Sequence, residues 1–212
     1  MSFYSLSESK FTRHYHEEVD MVFSALDCAL HDGHVIYASS ELTSGFKLYE
    51  AMREHNVKTA ADLKKKLGEE WHQRHILKPN IDSAKKFAEA VRATLRDNTI
   101  VITPAPFSAA GWSQSEYLAF WEQLLRSRVK SVRFNAHWQF SNGCTFEFAV
   151  AEDAGLPAFD HAGSVLPRKT GIQLIESAIR RLESQGFDAS KLRENLERLL
   201  AIPAPLGEAW LA

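Results

Sequence analysis

Four short, apolar, β-rich runs punctuate this chain: HVIYAS (34–39), TIVITP (99–104), KSVRFNA (130–136) and LPAFD (156–160). Between and after them lie stretches long enough for helices. This alternation is the strongest constraint on the fold, because neighbouring parallel strands need a crossover connection, usually helical, of a dozen or more residues. It predicts an α/β protein with a doubly wound parallel sheet of about five strands and extra helices at both ends. Val19, Val22, Phe23, Leu26 and Leu30 sit at helical spacing before Asp32-Gly33, which predicts a helix over 14–31. Thr59 is expected to cap AADLKKKLGEEW. Ser83 is expected to cap a helix striped by Ala84, Phe87, Val91 and Leu95. Ser113 with Glu116 forms a capping-box pattern ahead of Tyr117, Trp121, Leu124 and Leu125. A helix from about Asn142, stopped by Gly155, precedes the last run, and helices over 171–184 and 190–201 follow with Thr170 and Ser190 as caps.

The domain plan is an α/β unit over 1–165, with its core in 34–46 and 82–160 and a helical insertion at 47–81, then a helical extension over 166–212. Apolar content of 45% and charged content of 25% suit an ordinary globular chain. The net charge of −2 gives no electrostatic case for a nucleic acid polymer or a membrane surface as partner. Cys28 and Cys144 form no disulfide or metal pattern, which suggests reduced thiols in a cytoplasmic setting. MSFYSLSESK lacks a basic segment followed by an apolar one, and no apolar run approaches the ~20 residues of a membrane helix. The pairs His14/His16 and His72/His75 have no carboxylate or cysteine to complete a metal set, so neither metal nor cofactor is expected.

In open parallel sheets ligands bind beyond the C-terminal strand ends, which here means the loops 39–45, 104–112, 137–143 and 160–164. One carboxylate there is hard to explain. Glu147 falls among Phe146, Phe148, Ala149 and Val150, whereas a solvated helix would keep its charge where Glu152 and Asp153 lie. Ser141 or Asn142 can cap that helix and leave N–H groups for an anion, and Gly143 permits close approach of a ligand. A desolvated Glu147 one turn on has a raised pKa and could meet a sugar C1. The competing reading makes Ser141 a simple cap and Glu147 the partner of an Arg or Lys. In the first loop Ser39, Ser40, Thr43, Ser44 and Gly45 can wrap a phosphate, or satisfy only their own backbone. Trp112, Trp121 and Trp138 read as core, with Trp138 also able to stack on a base. Cys144 reads as packing or as a helix-start thiol, and Arg74 with Lys78 as a solvated face or a lid over phosphate.

Together IYASSELTSG, FAEAVRATLRDNTIVITPAPF and WQFSNGCTFEFAVAEDAGLP resemble the nucleoside 2-deoxyribosyltransferase superfamily, most closely its nucleoside 5'-monophosphate N-glycosidase branch and short uncharacterised relatives. Trp138, Ser141, Gly143 and Glu147 fit the motif W-x-x-S-x-G-x-x-x-E without a gap, and the resemblance spans about half the chain, 34–46, 82–112 and 130–159. It implies a Rossmann- or flavodoxin-like nucleotide-binding domain. Glu147 becomes the nucleophile at the anomeric carbon, Tyr37 the residue that steadies it, and Ser141, six positions earlier, a phosphate ligand. It further implies a nucleotide or nucleoside partner and a homodimer or larger assembly, an expectation that the apolar helices near 14–31 and 171–201 strengthen. The chain departs from the family pattern twice. Lys130 stands where an aspartate usually opens the third strand, leaving Glu41 or Asp160 as substitutes, and Ser40-Glu41 replaces the usual Gly-Pro or Gly-Ser. A binding protein without catalysis, on the same fold, is the alternative.

Overall fold

A computed structural model describes residues 13–30, 34–95 and 99–203. The chain opens with α1 (Arg13–Leu30) and β1 (His34–Ser39), then runs through α2 (Phe46–Glu54), α3 (Ala60–Leu67), α4 (Glu69–His72) and α5 (Lys78–Ala93). β2 (Thr99–Ile102), α6 (Gln114–Arg128), β3 (Ser131–Phe134), α7 (Asn142–Asp153) and β4 (Ala158–Phe159) follow, and α8 (Arg168–Ser184) and α9 (Ser190–Ala201) close the described chain. The sheet has four strands in the order β2-β1-β3-β4, and every pair is parallel. The expectation of about five strands is therefore corrected. Among the described residues after β4, an antiparallel bridge, Phe159 to Val165, is what touches the sheet; the chain then turns into α8 and α9, which pack on α7.

Strand periodicity divides the core between the two faces. Ile36 and Ala38 of β1 join Val101 of β2 against Phe87, Ala88 and Val91 of α5. Val35, Tyr37, Val132 and Phe134 point into the larger core with residues of α6, α7, α8 and α9. The architecture is thus α/β with helices on both faces, compatible with a Rossmann-like fold. β1 leads to β2 on one side and β3 leads to β4 on the other, so the topological switch point lies between β1 and β3.

Helix α7 is apolar on every side because it is covered on every side: Cys144 through Ala151 are all buried. Its contact with α8 is close enough that a Cβ on Gly171 would collide with the ring of Phe148. We expect Gly171→Ala to destabilise the protein by about 1–3 kcal/mol through overpacking, measurable as a lower urea midpoint at unchanged slope. The apolar stripes of α1, α8 and α9 are spent inside this one chain, on residues such as Val19, Phe23, Ile175, Leu182 and Leu192. Met21 of α1 and Leu200 of α9 remain exposed.

Several local expectations hold. Thr59 accepts from the Asp62 N–H, Ser113 and Glu116 form the capping box, and α7 and α9 occupy the ranges read from sequence. Others shift. Ser83 lies inside α5, which starts at Lys78 and continues from a π-turn over Gln73–Leu77. Pro79 lacks an N–H and crowds the preceding turn, so the helix widens there rather than stopping. Thr170 lies in the first turn of α8, behind Pro167, and Ser190 is the first residue of α9, behind Ala189 at the N-cap position, with its N–H donated to Asp188 Oδ1 at 2.9 Å. Asp32-Gly33 falls outside the described residues. Among the described residues no helix is long and apolar enough to cross a membrane, and no three His, Cys, Asp or Glu side chains converge as a metal set.

Candidate functional site

Glu147 meets two hydroxyls from β1. Tyr37 and Ser39, two residues apart and so on one face of the strand, both reach it. Tyr37 Oη donates to Glu147 Oε1 at 2.7 Å and Ser39 Oγ donates to Oε2 at 2.5 Å. The Tyr37 ring is held in turn against Trp121, with centroids 5.6 Å apart. Glu147 is only 4% exposed, and burial pushes its carboxyl up to about 7 although both hydroxyl bonds pull the other way. The partner is therefore a pair of neutral donors rather than an Arg or Lys, which leaves the carboxylate oriented but not neutralised.

The β3 side of the switch point carries the motif. Ser141 caps α7, its Oγ accepting the Cys144 N–H at 3.4 Å. Ser44, from the loop after β1, accepts the Asn142 N–H at 3.2 Å and lies 3.5 Å from Ser141 Oγ. Phe46, at the start of α2, stacks on His137 at 4.5 Å and 17°, so the segments after β1 and β3 are in contact there. His137 holds a φ of 64°, a left-handed backbone unusual outside glycine. A Cβ on Gly143 would meet nothing nearer than Ser141 Oγ at 3.9 Å. The chain's own packing therefore does not demand glycine there, and the open space suits an approaching ligand.

Most residues singled out from sequence converge here: Tyr37, Ser39, Ser44, Ser141, Asn142, Gly143 and Glu147. Ser40 is buried beside them, and Gly45 starts α2 with a φ of 132°. Thr43 is exposed on the loop. Trp138 is 4% exposed between Phe134 and Phe148, each at 4.8 Å, so it is a core ring without a face for a base. Cys144 is no activated thiol: burial, then the neighbouring Glu147, raises it far above its usual range. Lys78 pairs with Asp82 at 2.9 Å on an exposed face, and Arg74 is exposed, as a solvated helix would have it.

Lys130 lies at the opposite edge. Its N–H bonds Val35 O before β3 begins, roughly 13 Å of strand away from the C-terminal edge at ~3.3 Å per residue. Neither lysine nor an acid at that position sits beside Glu147. Of the two substitutes, Asp160 is spent on its own turn, accepting from Ala162 and Ser164 N–H groups at 2.9 Å each. Glu41 remains in the crevice.

Sequence reasoning missed Asn80, Thr103, Phe46 and His137. Asn80, fully buried, donates to Leu42 O at 2.9 Å. Its Oδ1, Ser40 Oγ, Thr103 Oγ1 and Asn142 Oδ1 are buried without hydrogen-bond partners. Such atoms are normally satisfied, and these four belong to residues at or beside the C-terminal ends of β1, β2 and β3 or the loops there. A surface cleft of about 410 Å³ beside Glu183, Asp188, Arg193 and Glu197 shares no residue with this cluster. No family model, curated protein or solved structure matches the chain, so the family resemblance rests on the motif residues alone.

Proposed function

We propose that this protein is an N-glycosidase that hydrolyses the base–sugar bond of a nucleoside 5'-monophosphate or a related nucleotide, with Glu147 as nucleophile. The carrying observation is the buried Glu147 carboxylate, at the switch point, with one hydroxyl donor on each oxygen. A Glu147 oxygen attacks the anomeric carbon as the C1–N bond breaks; the base leaves with the bonding electrons and takes a proton from solvent, which the attacking water of the next step replaces. Water then attacks the same carbon and returns Glu147 as a carboxylate. Tyr37 and Ser39 fix the attacking lone pair, and the partly exposed ring of Phe107, 5.3 Å from Trp121, offers the leaving base an apolar wall. Ser141 and the α7 N-terminus, joined through Ser44 to the adjoining α2 N-terminus, seat the phosphate in this reading, and a cytoplasmic homodimer or larger assembly belongs to it as well.

The reading is tested by incubating the protein with a panel of nucleotides and nucleosides and separating free base by chromatography; release from none of them overturns it. Ser141→Ala should weaken phosphorylated ligands by roughly 1.5–3 kcal/mol, the range for a hydrogen bond to a charged group, and affect unphosphorylated nucleosides far less. Binding calorimetry on matched pairs checks this. The alternative, a binding protein without turnover, is favoured by Glu41 being already bonded to the α2 N-terminus. Nucleotide binding without base release would select it.

A further inference from the structure

The N-terminus of α2 adjoins the start of α7, the helix that carries Glu147, through the Asn142 N–H donated to Ser44 Oγ, and it is filled from within the chain. Glu41 folds back so that its Oε2 accepts the Phe46 N–H at 2.8 Å, and the Lys47 N–H bonds the same carboxyl group. Gly45 makes this fold possible. Its φ of 132° suits glycine, and any Cβ there would fall on the Glu41 side chain. Exposed N–H groups and the helix dipole make such a position a seat for an anion, and Glu41 occupies it as a ligand's phosphate would. Two buried atoms beside the loop lack partners: Ser40 Oγ, and Oδ1 of Asn80, whose amide nitrogen is anchored on Leu42 O. Both residues are more than nine-tenths buried. A hydroxyl and an amide oxygen are the groups that pair with sugar hydroxyls.

We propose that Glu41 determines which sugar end the crevice admits: its carboxylate competes with a ligand's phosphate for the α2 N–H groups, so that a phosphorylated sugar binds with uptake of one proton at Glu41 and an unphosphorylated sugar binds without it. The proposal rests on the reading of the crevice as a nucleotide site. The charged and titratable groups around Glu41 are Lys47 on α2, Cys144 on α7 and, through Phe46, His137 after β3 and Arg181, whose guanidinium lies 5.0 Å from the Phe46 ring centroid. Burial raises Glu41 to about 7 against the pull of the two amides and Lys47, so the proton is available at neutral pH.

Ribose 5-phosphate and ribose serve as base-independent probes, titrated calorimetrically between about pH 7.5 and 8.5, where a sugar phosphate with a second pKa of about 6 is dianionic throughout. The parent should lose about tenfold in affinity for ribose 5-phosphate over that unit, as one linked proton requires, with no slope for ribose. Glu41→Gln should bind ribose 5-phosphate without slope and at least tenfold more tightly than the parent near pH 8.5, and Glu41→Asp, which keeps the charge, should retain a slope. Equal slopes in the parent and the Gln variant, an unchanged affinity in that variant, or no binding of ribose 5-phosphate by the folded parent would each overturn the proposal. Heats measured on the parent in two buffers of different ionisation enthalpy count the proton independently of any variant's folding; a count of zero also overturns it. Base release enters none of these measurements, so failure of the N-glycosidase reading is scored separately.

Discussion

Glu147→Gln is expected to keep the fold and the ligand and to lose base release by roughly four orders of magnitude or more, the scale seen when a covalent nucleophile is removed. The amide has the shape of the acid, and the Tyr37 and Ser39 hydroxyls that donate at 2.7 and 2.5 Å can rotate to accept from its NH₂. It cannot form the glycosyl ester. In the parent, release should rise with pH through about 7, because the attacking form is the carboxylate and burial holds its titration there. Tyr37→Phe should leave release detectable but weaker, since it removes one of two orienting donors. Chromatographic assay of all three proteins, with melting curves alongside, checks this. Equal release by Glu147→Gln and the parent would sink the mechanism.

The second large effect concerns stability. Glu147 is raised from 4.5 to about 7 by burial, so the folded state holds this proton more tightly than the unfolded chain does. Its contribution is complete below about pH 4.5 and is lost as pH climbs through 7, for a difference of about 3 kcal/mol. Glu41 changes in the same direction. Acid groups held low, such as Asp27 beside Arg128 and Glu116 in its capping box, act at lower pH and in the opposite sense, and His72, held low by burial, also opposes the two raised carboxyls below its ordinary range. The parent should therefore melt at a lower temperature near pH 8.5 than near pH 5.5. Glu147→Gln should melt above the parent near pH 8.5 and close to it near pH 5.5, since the amide imitates the protonated acid. A variant less stable than the parent at the higher pH would show that Glu147 serves the fold rather than strains it. The buried charge thus works against folding.

The alternation of β-rich runs with helical stripes determined the α/β class, the parallel sheet and most element positions, because period-2 and period-3.6 burial patterns are local properties of a sequence. The misfit of Glu147 in an apolar helix was equally legible, as were the Ser141 cap and the hydroxyl-rich loop after the first strand. The strand count was less so. Only four β-rich runs were read and the tail was read as helices, so the fifth strand had no run of its own behind it; α8 and α9 pack on α7 instead. Of what surrounds Glu147, the Tyr37 contact came from the family resemblance, and the Ser39 contact was decided only in three dimensions. Tyr37 and Ser39 lie 110 and 108 residues from it, and no periodicity spans such a gap. Asn80 gives no local sign of entering the site, since an asparagine in a charged helical stretch reads as solvated until tertiary packing buries it on Leu42 O. Lys130 misled for the same reason. Its place in a motif says nothing of which end of a strand faces the ligand, and parallel pairing puts it at the edge opposite Glu147. Local pattern sets what each segment becomes; the order β2-β1-β3-β4 sets which side chains meet.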